Sequence, residues 1–348
     1  TSAQLAPLDT ADLTALTTEQ FAALTSTQIS YLTSTQIGAM TSDDLGALTT
    51  AQIRAIETRD MALLDSADYA ALTTAQVTAL NTAQIRAIGT EDLAGLGTAG
   101  VAALTSAQAA ALGTAQIVAL GTDQIQALGT NQLRGLSTAQ IAAIATDDLV
   151  AMTSEQFAAL TTTQIAALPS TQVGALASDD LASLSAAQFR AIDTRGIAQL
   201  DSTDLGALTS AQMAALTSSQ LGAIDTADID GLSTAAIAGL TAAQVAGLTS
   251  VQLGAMSSEQ LQTLNATQLR ALSTAQLAGL GTDDLNVLTT AQFAELSTAQ
   301  IAGLTSKQLG AMESDDIAAL TTTQVRAIET RDFAGFDSAD LAALSSAQ

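Results

Sequence analysis

A single eight-residue repeat runs through all 348 residues and constrains the fold more than any other feature of the chain. Cut from Thr1, the sequence gives 43 full octads and a half octad, without an insertion or a deletion. We number the positions of each octad 1 to 8; the consensus is T-[ST]-x-[QD]-φ-x-[AG]-φ, with φ apolar. Because no linker interrupts this register, we expect one continuous repeat solenoid over residues 1–348.

Each octad carries its own signal for the start of a helix. Position 1 is mostly Thr, Ser, Asp, Gly or Asn, the residues favoured at a helix N-cap, and position 4 is Gln or Asp, the other half of a capping box. The apolar residues at position 8 of one octad and position 5 of the next form a hydrophobic staple around the cap. The pattern therefore predicts one short helix per octad, over positions 2 to 7 or 8.

Neither a strand nor one long helix fits this pattern. Strict alternation of apolar and polar residues is missing, and Ala, Gln and Leu favour helix. In a straight helix, eight residues at about 100° each overshoot two turns by about 80°, so the apolar stripe would spiral around the helix. An apolar period longer than 3.6 residues per turn predicts a right-handed coil, with positions 5 and 8 pointing inward and small residues at position 7 allowing close helix packing.

A second period of 17 octads gives the size of one superhelical turn. The segments that begin at Ile53, Phe189 and Val325 are near copies spaced 136 residues apart, and Phe21, Phe157 and Phe293 keep the same spacing. Within one 17-octad unit, Asp replaces Gln at position 4 in octads 2, 6, 8, 9 and 12, and the main series 2, 6, 9, 12 begins again at octad 19. If one Asp site in this series is missing, the spacings between the Asp octads correspond to five superhelical turns in 17 octads. We therefore predict an all-α solenoid with about 3.4 octads, or about 27 residues, per turn.

The Asp residues at position 4 are the first candidate ligand site. Asp44, Asp68 and Asp92 should stack on neighbouring turns, as should Asp180, Asp204 and Asp228. Stacked carboxylates could bind Ca²⁺, which needs six to eight oxygen ligands. The competing interpretation, which we favour, is that Asp in the first turn of each helix only complements the helix dipole. We assign no catalytic, cofactor-binding or metal-binding residue.

The Arg residues at position 6 are the second candidate. They recur at particular phases of the predicted turn, where they could contact the acidic stripe of a neighbouring molecule, and Arg59, Arg195 and Arg331 recur one octad later beside Glu57, Asp193 and Glu329. The alternative is local ion pairing, for example of Arg54 with Glu57. The position-6 set is Arg54, Arg86, Arg134, Arg190, Arg270 and Arg326.

The Thr and Ser residues at positions 1 and 2 are the third candidate, because regular hydroxyl arrays occur in ice-binding solenoids. Here hydroxyls occur in every part of the repeat array rather than on one flat face, and capping already explains them. Phe and Met at positions 5 and 8 fit a core and suggest no ligand.

Composition excludes several classes of function. Without His or Cys, the chain has no Ser-His-Asp triad, Cys nucleophile, disulfide or ordinary zinc site. A formal net charge of −24 opposes binding to nucleic acids, whose phosphates need Lys and Arg. No apolar run approaches the length of a membrane span. We expect neither an enzyme nor membrane insertion.

Octads such as Thr161–Leu168 and Ser297–Leu304 resemble the LTTAQ-type octapeptide arrays of very large secreted or surface proteins of proteobacteria. The resemblance spans the whole chain and implies an extracellular adhesin, matrix or fibre role, with no catalytic residues. Because no octad at either end is a distinct polar cap, we expect a piece of a longer repeat protein.

The sequence as a whole predicts a structural protein, an acidic rod outside the cell or on its surface. It would serve as a filament-forming subunit or as an adhesin or matrix stalk that self-associates laterally or end to end. The alternative is a binding module for cations or ice.

Overall fold

The computed structural model describes residues 2–5 and 7–348, and all regular structure in these residues is helical. The chain divides into two compact units, one ending at Leu168 and one running from Pro169 to Gln348. Each unit is described by itself, so continuity of one solenoid over residues 1–348 stays a prediction.

The first unit consists of short α-helices, α1 to α20, and one 3₁₀ helix at Leu93–Leu96. In chain order the α-helices are Ser2–Leu5, Thr10–Thr14, Thr18–Ala22, Ser26–Ile29, Ser34–Ile37, Ser42–Ala47, Thr50–Ile53, Thr58–Met61, Ser66–Ala71, Thr74–Ala79, Thr82–Ala87, Gly97–Ala103, Ser106–Ala111, Thr114–Ala119, Thr122–Gln126, Thr130–Gly135, Thr138–Ala143, Thr146–Val150, Ser154–Ala159 and Thr162–Ile165.

The second unit consists of helices α21 to α40 and two 3₁₀ helices, at Ile229–Gly231 and Asp332–Gly335. Its α-helices are Ser170–Val173, Ser178–Ser183, Ala186–Ala191, Thr194–Ile197, Ser202–Ala207, Ser210–Ala215, Ser218–Leu221, Thr234–Ala238, Ala242–Ala246, Ser250–Gly254, Ser258–Thr263, Ala266–Ala271, Thr274–Ala278, Thr282–Asn286, Thr290–Glu295, Thr298–Ala302, Ser306–Leu309, Ser314–Ala319, Thr322–Val325 and Ser338–Ala343.

The capping box opens most octads, as the sequence predicts. At Thr25, the backbone N–H donates to Gln28 Oε1 at 2.9 Å, and the Gln28 backbone N–H donates to Thr25 Oγ1 at 3.2 Å. Thr25 itself has extended backbone angles, φ −77° and ψ 155°. In the six-residue helices, position 8 is extended as well, for example at Leu48. The chain therefore changes direction at the residues between one helix and the next. The cap predicted at Thr1 lies outside the described residues.

Positions 5 and 8 form the core. Ile85 and Ile88, at these positions of one octad, are 0% and 3% exposed, and almost all equivalent residues are buried. The aromatic residues Phe21, Phe157, Phe189 and Phe293 occupy position 5 and are fully buried. Tyr69 occupies the same position and donates its hydroxyl to Met61 O at 2.6 Å.

Within each unit, helices pack against the helices about three octads before and after them, for example α6 with α9 and α13 with α16. Hydrogen-bonded residues on neighbouring turns are separated by 25 to 31 residues along the chain. This range brackets the predicted 27 residues per turn. The all-α solenoid with one short helix per octad is therefore confirmed, and its right-handedness stays a prediction.

Small residues at position 7 allow this packing. A Cβ atom added to Gly95 would lie 2.0 Å from Ser66 O, and one added to Gly231 would lie 2.3 Å from Ser202 O. In both cases the neighbour is position 2 of the octad three earlier. These octads also contain 3₁₀ rather than α-helices, at Leu93–Leu96 and Ile229–Gly231.

We predict that Gly95→Ala and Gly231→Ala each lower the free energy of unfolding by about 1–3 kcal/mol, because the new methyl group overlaps backbone atoms that cannot rotate away. Urea denaturation followed by circular dichroism measures the change. Gly254→Ala is the control, because Gly254 also lies in a helix and the nearest atom to its added Cβ is Asp284 Oδ2 at 3.7 Å, so this change should not lower the free energy of unfolding. Equal effects at the three glycines would contradict the prediction.

Candidate functional site

The residues that carry specific chemistry in this fold are the polar side chains that connect neighbouring turns, and the Gln residues at position 4 are the most numerous. Gln76 is 2% exposed, and its Nε2 donates to Leu45 O at 2.9 Å and Leu48 O at 2.7 Å. In the second unit, Gln244 donates to Met213 O at 2.9 Å and Leu216 O at 2.8 Å. The acceptors are positions 5 and 8 of the octad four earlier. We call this series of contacts the glutamine ladder.

The glutamine ladder provides partners for the backbone groups that short helices leave unpaired at their ends. A helix leaves its last carbonyl groups and its first N–H groups without partners inside the helix. One Gln serves both ends, since Oε1 accepts from the N-cap of its own helix and Nε2 reaches carbonyls at the end of a helix one turn earlier. For Gln212, the Oε1 partner is Thr209 N at 2.9 Å, and the Nε2 partners are Leu181 O and Leu184 O at 2.8 and 2.9 Å.

The sequence predicted only the first of these roles. A capping box is satisfied by Glu as well as by Gln, yet position 4 is Gln in most octads and never Glu. Only the amide adds hydrogen-bond donors to the acceptor oxygen. That preference is the sequence signal from which the contact between turns could have been inferred.

Asp at position 4 connects turns in a different way. Asp68 Oδ2 accepts from the Asp65 backbone N–H of its own cap, and Asp68 Oδ1 accepts from Ser42 Oγ at 2.8 Å. Ser178 makes the same contact with Asp204 at 2.8 Å. The partner is position 2 of the octad three earlier, so Asp connects to a different octad from Gln and accepts where Gln donates.

The predicted acidic stripe is thus a set of structural contacts. Asp44 accepts from Thr41, Asp68 from Ser42 and Asp204 from Ser178, while Asp228 accepts from the Ser202 backbone N–H at 3.1 Å. Asp92 lies near Asp65 and Asp68, and its pKa is raised by burial and then by the charges of Glu91, Asp65 and Asp68. Within residues 2–5 and 7–348, no three acidic side chains converge closely enough to hold a metal ion.

Three of the position-6 Arg residues also connect turns. Arg86 Nε donates to Ala111 O and Arg134 Nε to Ala159 O, both at 2.9 Å, and Arg270 Nε donates to Glu295 O at 3.0 Å. The acceptor is position 7 of the octad three later. Arg270 also forms an ion pair with the Glu295 carboxylate.

Arg54, Arg190 and Arg326 behave differently, because they are exposed and have no such contact in the described part of the chain. The expected pair of Arg54 with Glu57 does not form, since Glu57 lies 2.8 Å from the Arg59 guanidinium instead. Arg331 pairs with Glu329 in the same way, at 3.0 Å. Asp193 instead accepts from the Gly196 N–H at 2.8 Å and so caps its helix.

The hydroxyls at positions 1 and 2 are also engaged. At Thr25 the Oγ1 both accepts from Gln28 N and donates to Gln28 Oε1, and several position-2 hydroxyls donate to Asp.

An open groove of about 410 Å³ lies at Gly129 and Thr130, but the Gln156 amide on its wall already donates to Leu128 O at 2.8 Å. None of the helices among the described residues is both long and apolar enough to cross a membrane.

A family model for the ALTTAQ repeat matches the chain at residues 5–42, 53–90, 85–122, 117–147, 141–178, 221–258, 253–290, 278–312 and 309–346. These matches together cover well over half of the sequence. The chain belongs to the ALTTAQ repeat family. This confirms the resemblance to LTTAQ-type arrays. No curated protein matches the chain significantly.

The glutamine ladder of this ALTTAQ repeat chain can be tested at Gln212, which is 1% exposed. Gln212→Glu removes both amide donors and places a carboxylate against two carbonyl oxygens. We expect a loss of roughly 2–4 kcal/mol in the free energy of unfolding at pH 7. The loss should shrink at acid pH, where a protonated Glu regains one donor.

Gln20→Glu is the control for that change. Gln20 is exposed, and its Oε1 accepts from Thr17 N at 2.8 Å, a contact that Glu keeps. Its effect should stay within about 0.5 kcal/mol. Equal losses at Gln20 and Gln212 in urea denaturation would refute a stabilising role of the amide donors.

Asp316 provides a test by pH. It is 4% exposed, and burial, followed by the Glu313 and Asp315 carboxylates, raises its pKa to about 6. At the equivalent position of the first unit, Thr41 Oγ1 and N donate to Asp44 Oδ2 at 2.6 and 3.2 Å. Glu313 stands where Thr41 stands and supplies a negative charge instead of a hydroxyl.

Because the pKa of Asp316 is higher in the folded chain than the usual value of about 3.9, its contribution to stability is present below pH 4 and is lost as pH rises through 6. Asp316→Asn should therefore stabilise the chain at pH 7, with the advantage disappearing toward pH 4. Urea denaturation across this pH range measures the difference from wild type. Asp44→Asn should give no such gain, and a pH-independent difference at Asp316 would contradict the assignment.

Proposed function

We propose that this chain is a structural protein, an acidic rod that acts as a filament-forming subunit or as an adhesin or matrix stalk. The glutamine ladder is the observation that carries the proposal. Within each unit it connects most octads to an octad about one turn away through the repeat's own side chains, as at Gln76 and Gln244. Such contacts allow an array to be lengthened by adding octads, which suits a long structural element.

The polar chemistry of the repeat also supports a structural role. The recurring Gln, Asp and hydroxyl groups of the repeat take part in caps and contacts between turns, as at Gln212, Asp204 and Thr25. Membership in the ALTTAQ repeat family fits a repeat array but assigns no partner. An extracellular or cell-surface location is part of the proposal and rests on the resemblance to LTTAQ-type arrays. Antibody labelling of intact cells tests that location.

Lateral self-association is the mode of assembly that the charges favour. The chain carries a net charge of −24, yet Arg54, Arg190 and Arg326 recur every 136 residues as exposed guanidinium groups without contacts in the described part of the chain. These guanidinium groups are therefore available for ion pairs with acidic side chains of a second copy. Because like-charged chains repel, assembly should be favoured by salt that screens the net charge.

We predict that the purified chain forms filaments at high concentration in about 0.15 M salt, visible by negative-stain electron microscopy and as large species in sedimentation velocity. Replacing Arg54, Arg190 and Arg326 together by Glu should abolish them, because the basic side of each contact is removed.

The control replaces Arg59, Arg195 and Arg331 together by Glu, which gives the same change in net charge at exposed position-3 residues. Filaments should persist in this control. Loss of filaments in both triple variants would show an effect of net charge alone, and single particles of wild type at every concentration would refute filament formation.

A further inference from the structure

Glycine begins five of the six octads between residues 89 and 136, a density found nowhere else in the sequence. We call residues 89–136 the glycine-capped segment. The octads that are equivalent after 136 residues cover 225–272 and begin with Asp, Ser, Thr, Ser and Asn at the same places. The five glycines are Gly89, Gly97, Gly113, Gly121 and Gly129.

The glycines leave helix starts without a side-chain acceptor. Gly113, Gly121 and Gly129 have extended backbone angles, with φ between −78° and −73°, which any residue adopts. At the equivalent octads, Thr249, Ser257 and Asn265 accept from the N–H groups of the Gln three residues later. These acceptor distances are 3.1, 3.3 and 3.1 Å.

Three further features of the same segment bear on its stability. Ala109 occupies the buried position 5 where the equivalent octad has Val245, and both are fully buried, so less apolar surface is removed from water. Gly97 has φ +57°, a conformation that favours glycine. The glutamine ladder is also interrupted here, because Asp92 and Gly100 stand at position 4 of two successive octads.

The interruption of the ladder by itself does not distinguish the two segments, since Asp228 and Ala236 stand at the equivalent positions. The difference lies in the caps, in the core residue and in the freedom that glycine gives the unfolded chain. Because each octad packs mainly against octads about one turn away, a local loss of stability stays local rather than spreading over the array.

We propose that the glycine-capped segment is a built-in opening point, at which the first unit unwinds locally and reversibly before the equivalent segment 225–272 does. This is a conformational device of the fold and does not depend on the proposed filament role. In a chain under tension, it fixes the place at which extension starts.

Hydrogen–deuterium exchange of the intact chain, read by mass spectrometry, tests the proposal. Amides of residues 113–136 should exchange at least about tenfold faster than those of residues 249–272. The comparison is internally matched, because the two stretches occupy the same place in the 17-octad unit. Equal protection, or faster exchange in residues 249–272, would overturn the proposal.

Exchanging the caps between the segments separates their effect from that of position along the chain. The combined variant Gly113→Thr, Gly121→Ser and Gly129→Asn should slow exchange in residues 113–136 by about tenfold. The reverse variant, with Thr249, Ser257 and Asn265 each changed to Gly, should speed exchange in residues 249–272 by a similar factor. If neither variant shifts local exchange while both remain folded by circular dichroism, the glycine caps do not set the opening point.

Discussion

The hydrogen bonds of the Gln side-chain amide at position 4 are the interaction on which each unit depends. A helix of four to six residues leaves most of its backbone groups at its ends, so a fold built only of such helices exposes many unpaired donors and acceptors. The amide meets both needs in one side chain, since its oxygen caps its own helix and its nitrogen reaches carbonyls about one turn earlier. Gln76 makes these contacts while almost completely buried.

Departures from Gln show how much the ladder governs the local structure. Asp at position 4 cannot donate a hydrogen bond when it is ionised. It instead accepts one from a hydroxyl group in the octad three earlier, as Asp68 does from Ser42. In the octads of Gly95 and Gly231, which approach the neighbouring turn closely, the helix is a 3₁₀ helix. The Asp at position 4 there accepts from the backbone N–H of the Ser at position 2 of the octad three earlier. At Asp316 the cap residue is Glu313 rather than Thr, and the pKa of the Asp316 carboxyl rises to about 6 because of burial and neighbouring charge.

The same contacts explain why groups that resemble binding sites in the sequence have structural partners. The acidic stripe, the hydroxyl array and half of the position-6 Arg residues all connect turns or cap helices, as at Asp204, Thr25 and Arg134. Arg54, Arg190 and Arg326 remain exposed, and for that reason they are the residues on which the proposed contact between copies rests. The proposed opening point follows the same logic, since it lies where the helix caps are weakest.

The sequence by itself determined the repeat, the helix in each octad, the buried positions 5 and 8 and the length of a superhelical turn. The first three follow from local rules, because a cap and an apolar pair lie within eight or nine residues of each other. The length of a turn follows from the longer period of 17 octads. Tertiary structure decided which octads touch through which atoms. The reach of the Gln212 amide to Leu181 depends on how successive turns are offset, to a fraction of an octad. The choice of Arg59 over Arg54 as the partner of Glu57 depends on the change of chain direction between one helix and the next. The repeat pattern gives the average offset, and only the packed chain gives the distance between two particular atoms.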